Sequence, residues 1–260
     1  MAGGGILHAR EMVGDPNFRV DVGSVLARTL SVWGRNLVPF CLVGLVIYSP
    51  VLLGLGAIAA SGGSMPIGQK ILDVLSNLLT MVLTGGVTYG VFSELRGQRP
   101  DVADVLRLGL SRLGTVWLTG LLAGLGMGLG FCALIIPGLV LLARWWVAVP
   151  VAVIEAPGAS AAISRSTELT EGNRWRIFAL AVVVGMLQFG AAVAIAVAIS
   201  ALPGAKSAAA NELTAWAEAL QELVLIPVLA LAAVAPAIAY HDLRIGKEGA
   251  DIEELLSVFE

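Results

Sequence analysis

Charge is what this sequence has least of. Only 13% of its 260 residues are charged, 57% are hydrophobic, and the mean hydropathy is +0.87. A soluble domain carries about 25% charged and about 45–50% apolar residues. The shortfall excludes a soluble globular protein, a disordered chain and an electrostatic nucleic-acid binder. Cysteine and histidine are nearly missing too, at two each. Cys41 and Cys132 fall inside apolar runs and read as small packing residues, with a buried disulfide as the lesser alternative. His8 and His241 stand alone, so no metal-ligand spacing exists and no cofactor is expected. The first 18 residues lack an apolar signal core, so no cleaved signal peptide is expected.

What is present is a set of long charge-free runs: Leu37–Ala60, Val74–Ser93, Leu113–Ala143, Ile177–Ala205 and Leu223–His241. A spanning helix needs about 20 apolar residues. The third run continues past Arg144 to Ile154. As one helix that stretch would reach about 63 Å, twice the hydrocarbon thickness, so it must fold back. Ile136-Pro137-Gly138 is the expected break, because proline removes a donor and glycine permits a turn. Six spans follow, at about 37–60, 71–93, 113–135, 138–155, 176–202 and 222–240. The expected fold class is therefore an all-α polytopic membrane protein, with its six transmembrane helices in three hairpins. A short N-terminal tail (1–20) precedes the membrane domain (21–245), and a C-terminal tail (246–260) follows it.

Positive charge orients the spans. Arg10, Arg19, Arg28 and Arg35 precede span 1, and Arg96, Arg99, Arg107 and Arg112 follow span 2. Arg165, Arg174 and Arg176 follow span 4, and Arg244 and Lys247 follow span 6. The alternate loops hold only Lys70 and Lys206. Basic residues concentrate on the cytoplasmic side, so both termini are expected there.

Each cytoplasmic approach to an odd-numbered span reads as an interfacial amphipathic helix. In 21–35, Val22, Val25, Leu26, Leu30 and Trp33 share a face, opposite Ser24, Arg28, Ser31 and Arg35. In 101–113 the stripe is Val102, Val105, Leu106, Gly109, Leu110 and Leu113. The stretch 158–171 repeats it with Ala162, Ile163 and Leu169. The first two align without gaps at an offset of 80, matching Asp21 to Asp101, Val25 to Val105 and Leu30 to Leu110. The third, at an offset of 137, matches Arg28 to Arg165 and Asn36 to Asn173. Three units are expected, each an interfacial helix followed by a hairpin. The alternative is that amphipathic approaches resemble one another by composition. Ile252, Leu255, Leu256 and Phe259 give 251–260 a further apolar face, whose acidic side suits docking on protein better than on anionic lipid.

Two polar groupings stand out. Asp73, Asn77, Thr80, Thr84 and Thr88 fall on one face of span 2. Arg144 lies within span 4, and its expected partner is Asp73, with Gln188 of span 5 joining them. Asp73, Asn77, Thr80, Thr84, Arg144 and Gln188 form the candidate intramembrane polar cluster. Read blandly it is an interhelical clamp, or Arg144 snorkels without a partner; read functionally it is a solute or proton path. The second grouping is a candidate cytoplasmic elbow of Glu155, Arg165, Glu171, Asn173, Arg174 and Trp175. In it Gly172-Asn173 suits a helix C-cap, and Trp175 between two arginines suits an interface anchor. No nucleophile, metal set or acid–base constellation is present, so no catalytic residue is assigned.

The Ile136-Pro137-Gly138 turn, the segment AAISRSTELTEGNRWRIF at 161–178 and AYHDLRIGKEG near the end carry a resemblance. So does the opening Arg28-Thr29-Leu30, Gly34-Arg35-Asn36 and Pro39-Phe40. The chain resembles, over nearly its whole length, the bacterial six-span family described as the membrane domain of glycerophosphodiester phosphodiesterases. The resemblance implies a six-helix membrane module, in some relatives fused to a phosphodiesterase barrel. This sequence holds no such barrel, so the activity does not carry over. The expectation is a non-catalytic module that binds lipid or a protein partner at its cytoplasmic face. A small-solute or lipid transporter using the polar groups of spans 2, 4 and 5 is the alternative.

Overall fold

The computed structural model describes residues 18–61, 65–98, 102–201 and 210–249, the last with side chains from residue 219. Both ends of the tails, including the amphipathic 251–260, lie outside the described residues. Within them every regular element is a helix: α1 Val22–Arg35, α2 Leu37–Ala60, α3 Pro66–Leu95, α4 Val102–Ser111 and α5 Leu113–Ala133. Then come α6 Ile135–Trp145, α7 Ala148–Ile154, α8 Ala159–Leu169, α9 Arg174–Ser200 and α10 Ala210–Glu248. Six stretches are long and apolar enough to cross a membrane: α2, α3, α5, α6 with α7, α9, and α10 from Ala219. The protein is an all-helical membrane protein.

The charge-free runs locate these helices because lipid leaves backbone polar groups no partner but their own helix. Two boundaries differ from expectation. The fold-back between α5 and α6 is a single extended residue, Leu134 (φ −164°, ψ 148°), not Pro137-Gly138. Pro137 instead sits in the first turn of α6, where no intrahelical donor is needed. The fourth span is also broken, at Trp146-Val147. Pro150 explains that break, since it has no N–H to give the Trp146 carbonyl.

α2 and α3 pack with their contacts in opposite order. Tyr48 meets Thr80, a Cβ on Gly54 would strike Leu72, and a Cβ on Gly68 would touch Ile58. The last span lies at the centre: α10 packs on α1, α2, α3 and α9. Ala230, Ala233, Val234, Ala235, Ala237, Ile238, Ala239 and Tyr240 are all buried. Small side chains let neighbouring helices approach, which drives association where no hydrophobic effect acts.

The three amphipathic helices recur in register. Val22, Val102 and Ala159 begin them at the offsets 80 and 137, and Leu37 and Arg174 begin the following spans at the second offset. Val25, Val105 and Ala162 are buried at equivalent positions, and so are Thr29, Gly109 and Ser166. Positions 23, 24, 27 and 31 and their equivalents are exposed in all three copies. Leu30 and Leu110, equivalent apolar residues, both face outward. Each helix packs on the second span of the unit before it: α4 on α3, α8 on α6 and α7, and α1 on α10. The first helix thus closes on the last span.

α4 lies along α3 rather than across its end. Val105 meets Gly86, and Gly109 meets Val82 one turn away. A Cβ on Gly86 would lie 2.9 Å from the Val105 carbonyl oxygen, and one on Gly109 would lie 2.8 Å from that of Val82. Two glycines therefore let the backbones touch. α1 is held to α10 comparably: Trp33 Nε1 donates to the Pro227 carbonyl (2.8 Å), and Arg28 pairs with Asp242.

Candidate functional site

An acidic residue closes each second span: Glu94 near the end of α3, Glu155 just past α7 and Asp242 near the end of α10. All three carboxylates pair with arginine. Arg28 of α1 reaches Asp242, and Arg165 of α8 reaches Glu155 with Nε–Oε2 of 3.1 Å. Arg28 and Arg165 are equivalent positions of the repeat, and each crosses to the preceding unit. In α4 the equivalent residue is Leu108, and Glu94 pairs with Arg35 at 3.1 Å instead.

Glu155 is the densest node. Its Oε1 accepts from Tyr240 Oη (2.9 Å) and Arg244 Nη1 (3.2 Å), while Oε2 takes Arg165. Arg244 Nη1 also donates to Tyr240 Oη (2.8 Å), and Glu248 bonds Arg165 at 2.6 Å. The turn through Ala156 (φ 49°) and Gly158 (φ 92°) brings Glu155 and α8 together. Burial alone would pull the Arg165 pKa down. The hydrogen bond that Arg165 donates to Glu248 and the charges of Glu155 and Glu248 outweigh it and hold the value above the ordinary one. Both carboxylate oxygens of Glu155 are engaged.

Of the elbow residues, the structure brings Glu155 and Arg165 together, and adds Tyr240, Arg244 and Glu248. Asn173 works elsewhere. Buried at the start of α9, it accepts from Val20 N (2.9 Å) and donates to the Phe18 carbonyl (2.9 Å). Arg176 Nη1 donates to the Val20 carbonyl (2.6 Å). The chain entering α1 is therefore clamped to the third unit. Glu171 contributes its carbonyl, which accepts from Lys247 Nζ (2.6 Å). Arg174 and Trp175 turn toward a groove between α6 and α9, and Trp175 is 83% exposed.

The intramembrane cluster assembles only in part. Asp73 lines a cavity of about 330 Å³ with Val51, Leu55, Leu72, Gln221 and Glu222, between α2, α3 and α10. Ser76 Oγ donates to Glu222 (3.1 Å), and Tyr48 Oη shares a hydrogen bond with Thr80 Oγ1 (2.6 Å). Three members of the stripe bond their own helix, while the Thr88 hydroxyl is buried without a partner among the described residues. Asn77 donates to the Asp73 carbonyl, Thr80 to that of Ser76 and Thr84 to that of Thr80. Such i−4 bonds satisfy hydroxyls without a partner helix, so a polar stripe need not mark a wet path.

Arg144 does not join Asp73. Its carbonyl accepts from Ser166 Oγ (2.7 Å) and Thr170 Oγ1 (3.4 Å), so its backbone is tied to α8. α6 packs on α5, α8 and α9, whereas the Asp73 face of α3 turns toward α2 and α10. The two residues sit on different sides of the bundle, and among the described residues no ion pair involves Arg144. Gln188 is half-buried on α9 and lies outside the Asp73 cavity. Glu222 replaces both as the neighbour of Asp73. It opens the last span at the distance from the charged end that Asp73 has on α3, and that position was the signal in the sequence. No protein family, curated protein or solved structure matches this chain.

Proposed function

We propose that this protein is a non-catalytic module of a bacterial inner membrane that binds lipid at its cytoplasmic face, with both termini on that side. The observation that carries the reading is that the polar groups of the spans are spent on structural bonds or lie apart from one another. Thr80 and Thr84 of α3 bond their own helix, and the carboxylates that close the second spans are each paired with arginine. The polar groups of spans 2, 4 and 5 do not converge, which removes the path a carrier would need there. The resemblance to the six-span membrane domain of glycerophosphodiester phosphodiesterases supports the same reading, without the phosphodiesterase. The asymmetry of basic residues supports the orientation. Purification in mild detergent with lipidomics and proteomics of the co-purifying material tests the proposal, and a protein recovered without stoichiometric lipid would overturn it. Reporter fusions at Lys70 and Lys206 are expected to read outside, and at Arg99 and Glu171 inside.

The Asp73–Glu222 cavity favours a second reading, a transporter of small solutes entered from the side opposite the charged end. Uptake by proteoliposomes that Asp73→Asn abolishes would favour it over the first.

A further inference from the structure

Two adjoining hollows meet at Arg174 and Trp175. One is an apolar groove of about 350 Å³ between α6 and α9, walled by Leu139, Val140, Ala143 and Phe178. Ile136, Leu139, Val140 and Ala143 recur at helical spacing on α6, so one face of that helix forms a continuous wall. The Trp175 and Phe178 rings, edge to face with centroids 6.0 Å apart, form the facing wall. The other hollow, about 410 Å³, is lined by Arg19, Arg174 and Arg176 together with Gly172, Asn173 and Trp175. Among the described residues no carboxylate lines either hollow.

The basic hollow is built, not incidental. Buried Asn173 grips Phe18 on one side of Arg19 and Val20 on the other. The Arg19 side chain is thereby presented beside Arg174 and Arg176 from a different part of the chain. Arg176 is braced by its bond to the Val20 carbonyl. Arg174 forms no ion pair among the described residues, and its Nε is buried without a partner. Three guanidiniums with no anion among the described residues, at the mouth of an apolar groove, match a molecule with a negative head and a hydrocarbon tail.

We infer that this is a binding site for one anionic glycerophospholipid. Its phosphate sits among Arg19, Arg174 and Arg176, and one acyl chain runs along the α6 face between Val140 and Phe178. The inference rests on the lipid-binding reading and gives it a place and a headgroup class. Guanidinium pairs phosphate bidentately and stays charged, which suits it to the head. Exposed Trp175 lies at the junction, where amphipathic rings settle between headgroups and hydrocarbon.

Native mass spectrometry of the whole protein in mild detergent, titrated with phosphatidylglycerol or with phosphatidylcholine, tests it. Wild type is expected to bind one phosphatidylglycerol more tightly than phosphatidylcholine. Arg19→Gln and Arg174→Gln are each expected to weaken phosphatidylglycerol about fivefold, with phosphatidylcholine unchanged. Val140→Trp, which fills the groove, is expected to weaken both lipids. Free glycerol phosphate is expected not to compete, because it lacks the chain. If both arginine variants keep the wild-type preference, the site is wrong while lipid binding by the module stands. If wild type binds neither lipid, the lipid-binding reading fails with it.

Discussion

The last two spans have the same mean hydropathy, 2.4, yet occupy opposite situations. Of the apolar window of α10, 61% is buried inside the protein; for α9 the share is 11%. Small residues alone do not make the difference, since each stretch holds seven alanines and α9 adds Gly185 and Gly190. α10 brings alanines at 230, 233, 235, 237 and 239 to its contacts, while α9 turns Met186, Leu187, Phe189 and Val197 outward. In lipid a large apolar side chain gains nothing by leaving the bilayer, so hydropathy does not separate a central helix from a peripheral one. Hydropathy says that a helix spans, and the polar groups near its charged end say which neighbours it has. Polar groups divide along the same line. Tyr240, Asp242 and Arg244 of α10 bond other units, and α9 does so only through its first turn.

The sharpest test of that division fills a contact where small residues meet. Gly86→Leu places a side chain against the Val105 backbone, which cannot yield as a flexible side chain would. A loss of about 3 kcal/mol is expected from overpacking of this kind, read as a lower melting temperature in detergent. Gly185→Leu on α9, where a Cβ meets nothing within 4 Å, is the matched control and is expected to be near neutral. Equal losses at the two positions would break the comparison.

Glu155→Ala comes next. It leaves Arg165 and Arg244, both mostly buried, with Glu248 as the carboxylate they still share. Removing one partner of such a pair costs about 3 kcal/mol or somewhat less here, because water still reaches the rim. Glu155→Gln keeps acceptors for Tyr240 and Arg244 and is expected to recover part of the loss. Asn173→Ala is expected to cost about 2 kcal/mol, since it deletes two hydrogen bonds from a buried side chain. That loss is expected to appear also as faster proteolysis ahead of α1, and an unchanged cleavage rate would remove the clamp.

The six spans were legible because charge-free length is a local property. So was the first repeat, where residues match outright. The third copy was faint, since Ala162 and Ser166 stand where Val25 and Thr29 stand. What they share is burial, which a residue name does not state. The ion pairs were hidden for a different reason. Arg28 and Asp242 are 214 positions apart, and which carboxylate an arginine meets depends on how the units close. A trace was present, because Arg28 matches Arg165 at the offset of 137, and both turn out to cross between units. Pairing Arg144 with Asp73 failed because it compared depth along two helices and not the faces they turn to each other.

The smallest effect is expected at Asp73, where the polar groups look toward a cavity and not toward arginine. Asp73 and Glu222 line the same hollow, and no basic residue lines it. Glu222 has Ser76 as a donor, whereas Asp73 enters the network through its carbonyl. Asp73→Asn therefore removes a negative charge from beside another and leaves the hydrogen bonds in place. A change within about 0.5 kcal/mol is expected, in the direction of greater stability, since like charges near one another are destabilising. Combining it with Arg144→Ala sharpens the point. Residues without contact or a shared partner add within about 0.5 kcal/mol, so the double variant is expected to lose what Arg144→Ala loses alone, less the small gain. Substantial recovery in the double variant would mean that Arg144 does sense Asp73. The two sides of the bundle would then be electrostatically joined, and the cavity rather than the charged end would be the place to look for function.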